Sequence, residues 1–304
     1  MTSVAVRPST FRVWLLAIRP ATLPAALSGV VVGLGAALAV RTPFRLDTAL
    51  GCVAVALLLQ ITANLSNDLS DFRKGADTVE RTGPLRVAAA GYVTPRQLEI
   101  AIAVVIALAG VVGLWLTTVG GPILLVVGIL AVIAAVAYTG GPWAYGYRGL
   151  GEVFVFLFFG FVAVVGTAYL QSGRVEPLFW VAAIPVGALT TAILVVNNLR
   201  DIPTDTLAGK RTLAVVLGVR RTRLEYIALL LVAFVVPVVL VAAGRGLAVL
   251  LPLIALPVAS PLLRTVRTFT EPRQLNLVLK GTARLALIFG VLFAVGLAIG
   301  GALA

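Results

Sequence analysis

Six of the twelve acidic residues, Asp68, Asp71, Asp77, Glu80, Asp201 and Asp205, fall in two short segments whose other polar residues are as informative as the acids. In LLLQITANLSNDLSDFRKGADT, residues Gln60, Asn64, Asn67/Asp68 and Asp71 recur at i, i+4, i+7/8 and i+11, one stripe of a helix otherwise built from Leu, Ile and Ala. In VVNNLRDIPTDTLAGKRT, Asn197, Asp201 and Asp205 recur at i, i+4 and i+8, and Pro203 predicts that the helix breaks and leaves Asp205 on an unwound end. An ionised Asp at the centre of a spanning helix costs about 2.5–3.5 kcal/mol, so acids at the ends of apolar segments need water, cations or metal. Two solvated helix ends would satisfy the acids alone; the accompanying stripe of amides points to a wet cavity.

The two segments are offset by 133 residues, Asn64 to Asn197 and Asp68 to Asp201. They lie four spans apart, at the ends of the second and sixth, which brings both helices to the same membrane face as halves of one site. Facing carboxylates with amide support form an all-oxygen ligand set suited to Mg²⁺, which completes its shell with water and substrate phosphate. The implied ligand is a diphosphate. Cations to neutralise it follow both clusters: Arg73, Lys74, Arg81 and Arg86 after the first, Arg200, Lys210 and Arg211 after the second. The chain has no histidine and one cysteine, Cys52, which excludes imidazole bases, thiolate zinc sites and a disulfide framework.

The elements that must position these residues are apolar. Of 304 residues 60% are hydrophobic and 12% charged, with a mean hydropathy of +1.08, which excludes an ordinary water-soluble globule. The apolar runs are long and non-alternating, so the expected fold is all-α, a bundle of about nine transmembrane helices around a central cavity open toward the cytoplasm. The predicted spans are 14–40, 47–70, 95–117, 121–139, 151–171, 177–199, 222–243, 246–267 and 282–303. They form a single transmembrane domain over 1–304, with 1–13 a short cytoplasmic N-terminal segment leading into an uncleaved first helix. Counted on alternate sides, 20 of 24 Lys and Arg fall on one face, and Arg41, Arg45, Arg174 and Arg245 make up the other. The positive-inside rule then puts the N-terminus and long loops in the cytoplasm and the C-terminus outside. The net charge of +12 reads as a surface against anionic membrane lipid rather than a nucleic-acid site.

A metal-bound diphosphate at the end of a greasy bundle points to a lipid diphosphate whose tail lies among the helices. Metal and Lys/Arg stabilise charge on the departing diphosphate, and aromatic faces such as Tyr138, Trp143, Tyr145, Tyr147, Phe154 or Phe158 could shield an allylic cation. Here the residues meet a known pattern. N-x-x-N-D-x-x-D-x-x-x-G-x-D-T from Asn64 to Thr78 and N-N-x-R-D-x-x-x-D-x-x-x-G-K-R-T from Asn197 to Thr212 resemble the two signatures of the UbiA superfamily of membrane prenyltransferases. RPATLPAA at Arg19–Ala26, TGPLRVAAAGYVTPRQ at Thr82–Gln97 and YTGGPWAYGYRGLGEVFVFLFFG at Tyr138–Gly160 narrow the resemblance, which runs from about Arg19 to Leu217, to the menaquinone branch.

That resemblance implies transfer of a polyprenyl group from polyprenyl diphosphate to 1,4-dihydroxy-2-naphthoate with loss of CO₂, giving demethylmenaquinone, in the cell inner membrane. It implies two Mg²⁺ ions, with Mn²⁺ as an alternative: one on Asn67, Asp68 and Asp71, the other on Asp201 and Asp205, supported by Asn64 and Asn197. Where other branches carry the last acid of the first motif four residues after Asp71, this chain has Gly75, with Asp77 as a further ligand candidate. Arg73, Lys74, Arg81, Arg86, Lys210 and Arg211 are the diphosphate candidates. Arg19, Tyr138 and Glu152 are assigned to the acceptor side, Glu152 to orient a ring hydroxyl or else to sit at a helix N-terminus favoured by the dipole. Another aromatic acceptor (4-hydroxybenzoate, homogentisate) would keep the metal site and change the pocket. A secondary transporter is the rival from another class, although its site would lie nearer the midplane. Asp68→Ala and Asp201→Ala are each expected to abolish prenyl transfer while the bundle still inserts; near-normal product formation by either variant at limiting Mg²⁺ would remove the metal assignment.

Overall fold

The computed structural model describes residues 8–75, 83 and 85–302, and among these the regular elements are all helical. Eight helices are long and apolar enough to cross a membrane, and the chain is a multi-pass membrane protein. The fourth expected span is shorter than the pattern indicated. Its helix α5 (Ile123–Ala137) has 15 residues and covers about 22 Å at 1.5 Å per residue, less than a bilayer core of about 30 Å.

The first span is two helices, α1 (Thr10–Ile18) and α2 (Leu23–Ala39), separated by a turn in which Arg19 takes a left-handed backbone (φ 55°) before Pro20. Helix α3 (Leu46–Arg73) carries the first aspartate segment in its last turns. Helix α4 (Pro95–Gly120) starts at a capping box of Thr94 and Gln97. After α5 come α6 (Gly151–Val155), a π-helical stretch over Phe156–Val162, and α7 (Ala163–Ser172), together one span. Helix α8 (Pro177–Leu207) carries the second aspartate segment. Helices α9 (Leu213–Ala242), α10 (Leu256–Thr268) and α11 (Leu275–Ala302) complete the bundle, α9 being kinked where Gly218 leaves helical geometry at φ 72°.

Pro203 does not break α8 as the sequence predicted. It lies four residues from the end, so the missing N–H costs only the bond to the Leu199 carbonyl, and the helix continues with Asp205 in its final turn.

Helices α2, α8 and α11 form the centre, with Val32, Ala36, Phe179, Leu189, Phe289 and Phe293 fully enclosed. Small residues let these backbones approach, as membrane helices require where no hydrophobic effect drives them together. A Cβ built on Gly35 would lie 2.4 Å from the Ala294 Cα, and one on Gly160, in the π stretch, 2.8 Å from the Gly187 Cα. Helix α4 instead exposes Ile100, Val104, Leu108 and Val111, as a lipid-facing helix should. Gly35→Ala is therefore expected to destabilise the protein by about 1–3 kcal/mol through overpacking. Gly110→Ala, where an added Cβ meets nothing within 4 Å, is expected to be neutral or slightly stabilising. Thermal unfolding in detergent checks the pair.

Candidate active site

The ends of α3 and α8 meet through one ammonium group. Lys210 Nζ lies 3.4 Å from Asp71 Oδ1 and 3.5 Å from Asp205 Oδ1, so carboxylates 134 positions apart in the chain share a cation. Lys210 is placed by the turn after α8, where its backbone N–H donates to the Asp205 carbonyl at 2.9 Å. Asp71 is 2% exposed and also pairs with Arg86 at 2.6 Å and accepts a hydrogen bond from the Tyr147 hydroxyl. Asp68, 1% exposed, accepts the backbone N–H groups of Val87 at 3.1 Å and Ala88 at 3.3 Å. The loop before α4 is thus folded onto the end of α3 by the aspartates themselves.

Asp201 is held differently. Arg200, buried within α8, grips it with Nε at 2.8 Å and Nη2 at 2.6 Å and reaches Asn197 Oδ1 at 2.8 Å and Asn276 Oδ1, on α11, at 2.9 Å. This clamp was missed in the sequence as a structural device. Its only signal there is an arginine beside an aspartate in an apolar helix.

Tyr147, expected only as a shielding ring, takes a different part. Its ring lies between the ammonium groups of Lys74 (4.5 Å) and Lys210 (4.6 Å) while its hydroxyl serves Asp71, so the expected aromatic shield is here an ionic scaffold. Its carbonyl accepts the Arg211 N–H at 2.9 Å, joining the turn before α6 to the segment after α8. Lys74 Nζ donates to the Thr139 carbonyl at 2.7 Å, and the Thr139 hydroxyl donates to Asn67 Oδ1 at 2.8 Å. Burial lowers the Lys74 pKa from its ordinary value; Asp71 opposes this and the like charge of Lys210 adds to it.

Of the six diphosphate candidates, Lys74, Arg86 and Lys210 join the carboxylates. Arg73 turns outward to pair with Glu99, and the Arg211 side chain is exposed. Arg81 and the ligand candidate Asp77 lie outside the described residues.

Beneath this ionic layer is a cavity of about 360 Å³. Its polar rim includes Arg19, Thr22, Gln60, Asn64, Asn67 and Asn197, while none of the four aspartates lines it; they follow the rim amides Asn67 and Asn197 toward the C-terminal ends of α3 and α8. The Asn64 amide donates to the Ile18 carbonyl (2.8 Å) and to Thr22 (3.0 Å), which ties the α1–α2 turn to α3. One wall is aromatic: Tyr138 packs edge-on to Tyr145 (5.5 Å), Tyr145 stacks on Phe154 (4.1 Å), and Phe154 faces Phe158 (6.3 Å). The Tyr145 hydroxyl donates to the Ala134 carbonyl at 2.8 Å, and burial pushes its pKa up. Trp143 is exposed and stacks with Arg148 instead. Tyr138 and Arg19 reach the cavity; Glu152 does not, its Oε1 accepting the Asn198 amide at 2.9 Å. The far end is apolar, with Cys52, Leu116, Leu124 and Leu170.

The chamber is thus apolar within and capped by paired carboxylates and cations. The sequence pattern of the UbiA prenyltransferase family matches residues 26–278. The chain belongs to the UbiA prenyltransferase family, and is a transferase. It is 42% identical over 292 residues to the 1,4-dihydroxy-2-naphthoate octaprenyltransferase of Mycobacterium tuberculosis, covering 96% of this chain and 99% of that one. Among solved structures it resembles the apo UbiA homolog from Aeropyrum pernix (TM-score 0.68, 18% identity, 90% and 97% of the two chains). It also resembles the UbiA homolog from Archaeoglobus fulgidus bound to GPP and Mg²⁺ (TM-score 0.60, 15% identity, 93% and 100%). The family match carries the sequence resemblance, read only to Leu217, on to residue 278, at the start of α11.

In this UbiA site Tyr147→Phe keeps the ring between two ammonium groups and removes a hydrogen bond to a charged group, worth about 1.5–3 kcal/mol. Prenyl-transfer kcat/KM should fall about tenfold or more. Lys210→Ala should raise the KM for the diphosphate more than that for the acceptor. Steady-state kinetics with each substrate varied separately checks both, and a loss confined to acceptor KM would take Lys210 out of the diphosphate group.

Proposed function

We propose that this protein transfers a polyprenyl group from its diphosphate to 1,4-dihydroxy-2-naphthoate with loss of CO₂, giving demethylmenaquinone and diphosphate. The observation that carries the reading is the pairing of Asp71 and Asp205 on Lys210 directly above an apolar, aromatic-walled cavity. The name of the Mycobacterium tuberculosis relative supports the acceptor, and the Archaeoglobus fulgidus structure supports a prenyl diphosphate with Mg²⁺.

The donor set fits a hard divalent ion. No group of three or more acids, cysteines or histidines forms a protein cage among the described residues. Mg²⁺ needs only one or two carboxylates when phosphate and water complete its octahedron. Asn67, Asp68 and Asp71 would hold one ion and Asp201 and Asp205 a second, with Mn²⁺ able to replace Mg²⁺ and Asp77 a further candidate ligand. When bound, the metal supplies Lewis-acid stabilisation of the leaving diphosphate. Lys74, Arg86 and Lys210 add to that stabilisation, Arg86 and Lys210 by exchanging a carboxylate partner for a phosphate oxygen.

Asn67 and Asn197 stand where the diphosphate meets the prenyl chain, with Asn64 behind them. The Tyr138, Tyr145, Phe154 and Phe158 faces shield positive charge at the prenyl C1 and exclude water. The ring carbon bearing the carboxylate then bonds to C1 as the C1–O bond breaks. Loss of CO₂ returns the electrons of the C–CO₂ bond to the ring, so no strong base is needed, consistent with a chain without histidine. Arg19 lies on the cavity rim as the cation closest in role to an acceptor-carboxylate partner. The chain acts as one prenyltransferase domain in the cell inner membrane, N-terminus cytoplasmic and C-terminus outside, its cavity opening toward the cytoplasm.

Purified protein with Mg²⁺, a polyprenyl diphosphate and carboxylate-labelled naphthoate should release one labelled CO₂ per prenylated ring. Retention of label in the product, or faster turnover of 4-hydroxybenzoate, would overturn the acceptor assignment.

A further inference from the structure

Among the described residues only four cations, Arg41, Arg45, Arg174 and Arg245, lie at the end of the bundle remote from the aspartates. Three of them converge. Arg41 after α2, Arg174 between α7 and α8, and Arg245 after α9 line one recess of about 390 Å³ floored by Ala39, Val40 and Gly301. Glu176 is the one acid on it, and three guanidiniums against one carboxylate leave a net charge of two.

The pairing within the recess is incomplete. Arg174 pairs with Glu176 at 2.8 Å and donates to the Val40 carbonyl at 3.1 Å, and Arg45, outside the recess, pairs with Asp47 at 3.6 Å. Arg41 and Arg245 make no ion pair among the described residues. Arg41 also holds a left-handed backbone (φ 59°), a conformation glycine would adopt without strain. Arg41 is exposed and Arg245 half-buried, and both line a recess on a membrane face otherwise poor in cations, so two guanidiniums without an ion pair are open to the same anion.

We propose that this recess binds the phosphodiester of an anionic phospholipid in the leaflet opposite the aspartate site. Guanidinium forks match phosphate oxygens in pairs. The small floor residues end α2 and α11, so a headgroup can approach backbone there. The exposed Phe44 and Leu247, within three residues of Arg41 and Arg245, offer apolar surface to its acyl chains. The site is remote from the chemistry and stands independently of the reading of the reaction.

The full chain in detergent is titrated with phosphatidylglycerol or phosphatidylcholine and bound lipid counted by native mass spectrometry. Phosphatidylglycerol should be retained preferentially, and the Arg41→Gln/Arg245→Gln double variant should bind it about thirtyfold more weakly, two surface charges having been removed. Its prenyl transfer should remain at the wild-type level. A double variant of equal charge change at the other end, Arg220→Gln/Arg221→Gln, should keep most of the preference. An unchanged preference in the first variant, or an equal loss in the second, overturns the proposal. So does competition by inorganic phosphate or glycerol 3-phosphate at lipid-equivalent concentration, which would make the ligand a soluble phosphate.

Discussion

Asp71 and Asp205 each occupy the final turn of a long helix, where the backbone dipole disfavours negative charge, and each is almost wholly buried. A buried carboxylate there survives only with strong compensation, since removing one partner of such a pair costs about 3–5 kcal/mol. The compensation comes from outside the helices: Arg86 from the loop before α4, Tyr147 from the turn before α6, Lys210 from the turn after α8. Three connections that could wander over the surface are therefore drawn onto one point. The polar layer that would hold a diphosphate is a consequence of this electrostatic demand.

The same demand divides the molecule. Beyond the rim amides of Asn67 and Asn197 lie the ion pairs of Asp71 with Arg86 and Lys210, Asp205 with Lys210 and Asp201 with Arg200; below them the cavity is mostly Leu, Val, Ala and aromatic rings. In the proposed reaction, a substrate with an anionic head and a prenyl tail would span that boundary with its C1–O bond near the amides, between the charged layer and the apolar one. The bonds linking Thr139 to Asn67 and Lys74, and Asn276 to Arg200, brace the boundary from the turn after α5 and from α11, neither of which carries an aspartate.

Helical periodicity made much of this legible. The stripe Gln60, Asn64, Asn67 lines the cavity as its spacing required, and the fixed offset between the two motifs correctly joined the ends of α3 and α8. Direction at single-residue resolution was not legible. Asn67 and Asp68 are neighbours in sequence, yet one faces the cavity and the other a loop's amide groups. Arg73 and Lys74 are neighbours too, and one leaves for Glu99 while the other enters the site. Such choices depend on partners supplied by distant segments. Pro203 was misread because a proline near a helix end forfeits a single bond, and α5 because apolar length was counted through turn residues at both ends. Tyr147 was legible only as one of several candidate shielding rings, because its bond to Asp71 depends on where the turn before α6 comes to lie.

The central claim is that carboxylates from two helices act as one anion-and-metal grip. Calorimetric titration of Mg²⁺ in the presence of a non-reactive prenyl thiodiphosphate, across wild type, Asp71→Asn, Asp205→Asn and the double variant, tests it most directly. A joint grip predicts that either single change removes most of the binding and the second adds little, a strongly non-additive cycle. Independent, additive losses would show two separate sites and contradict the account.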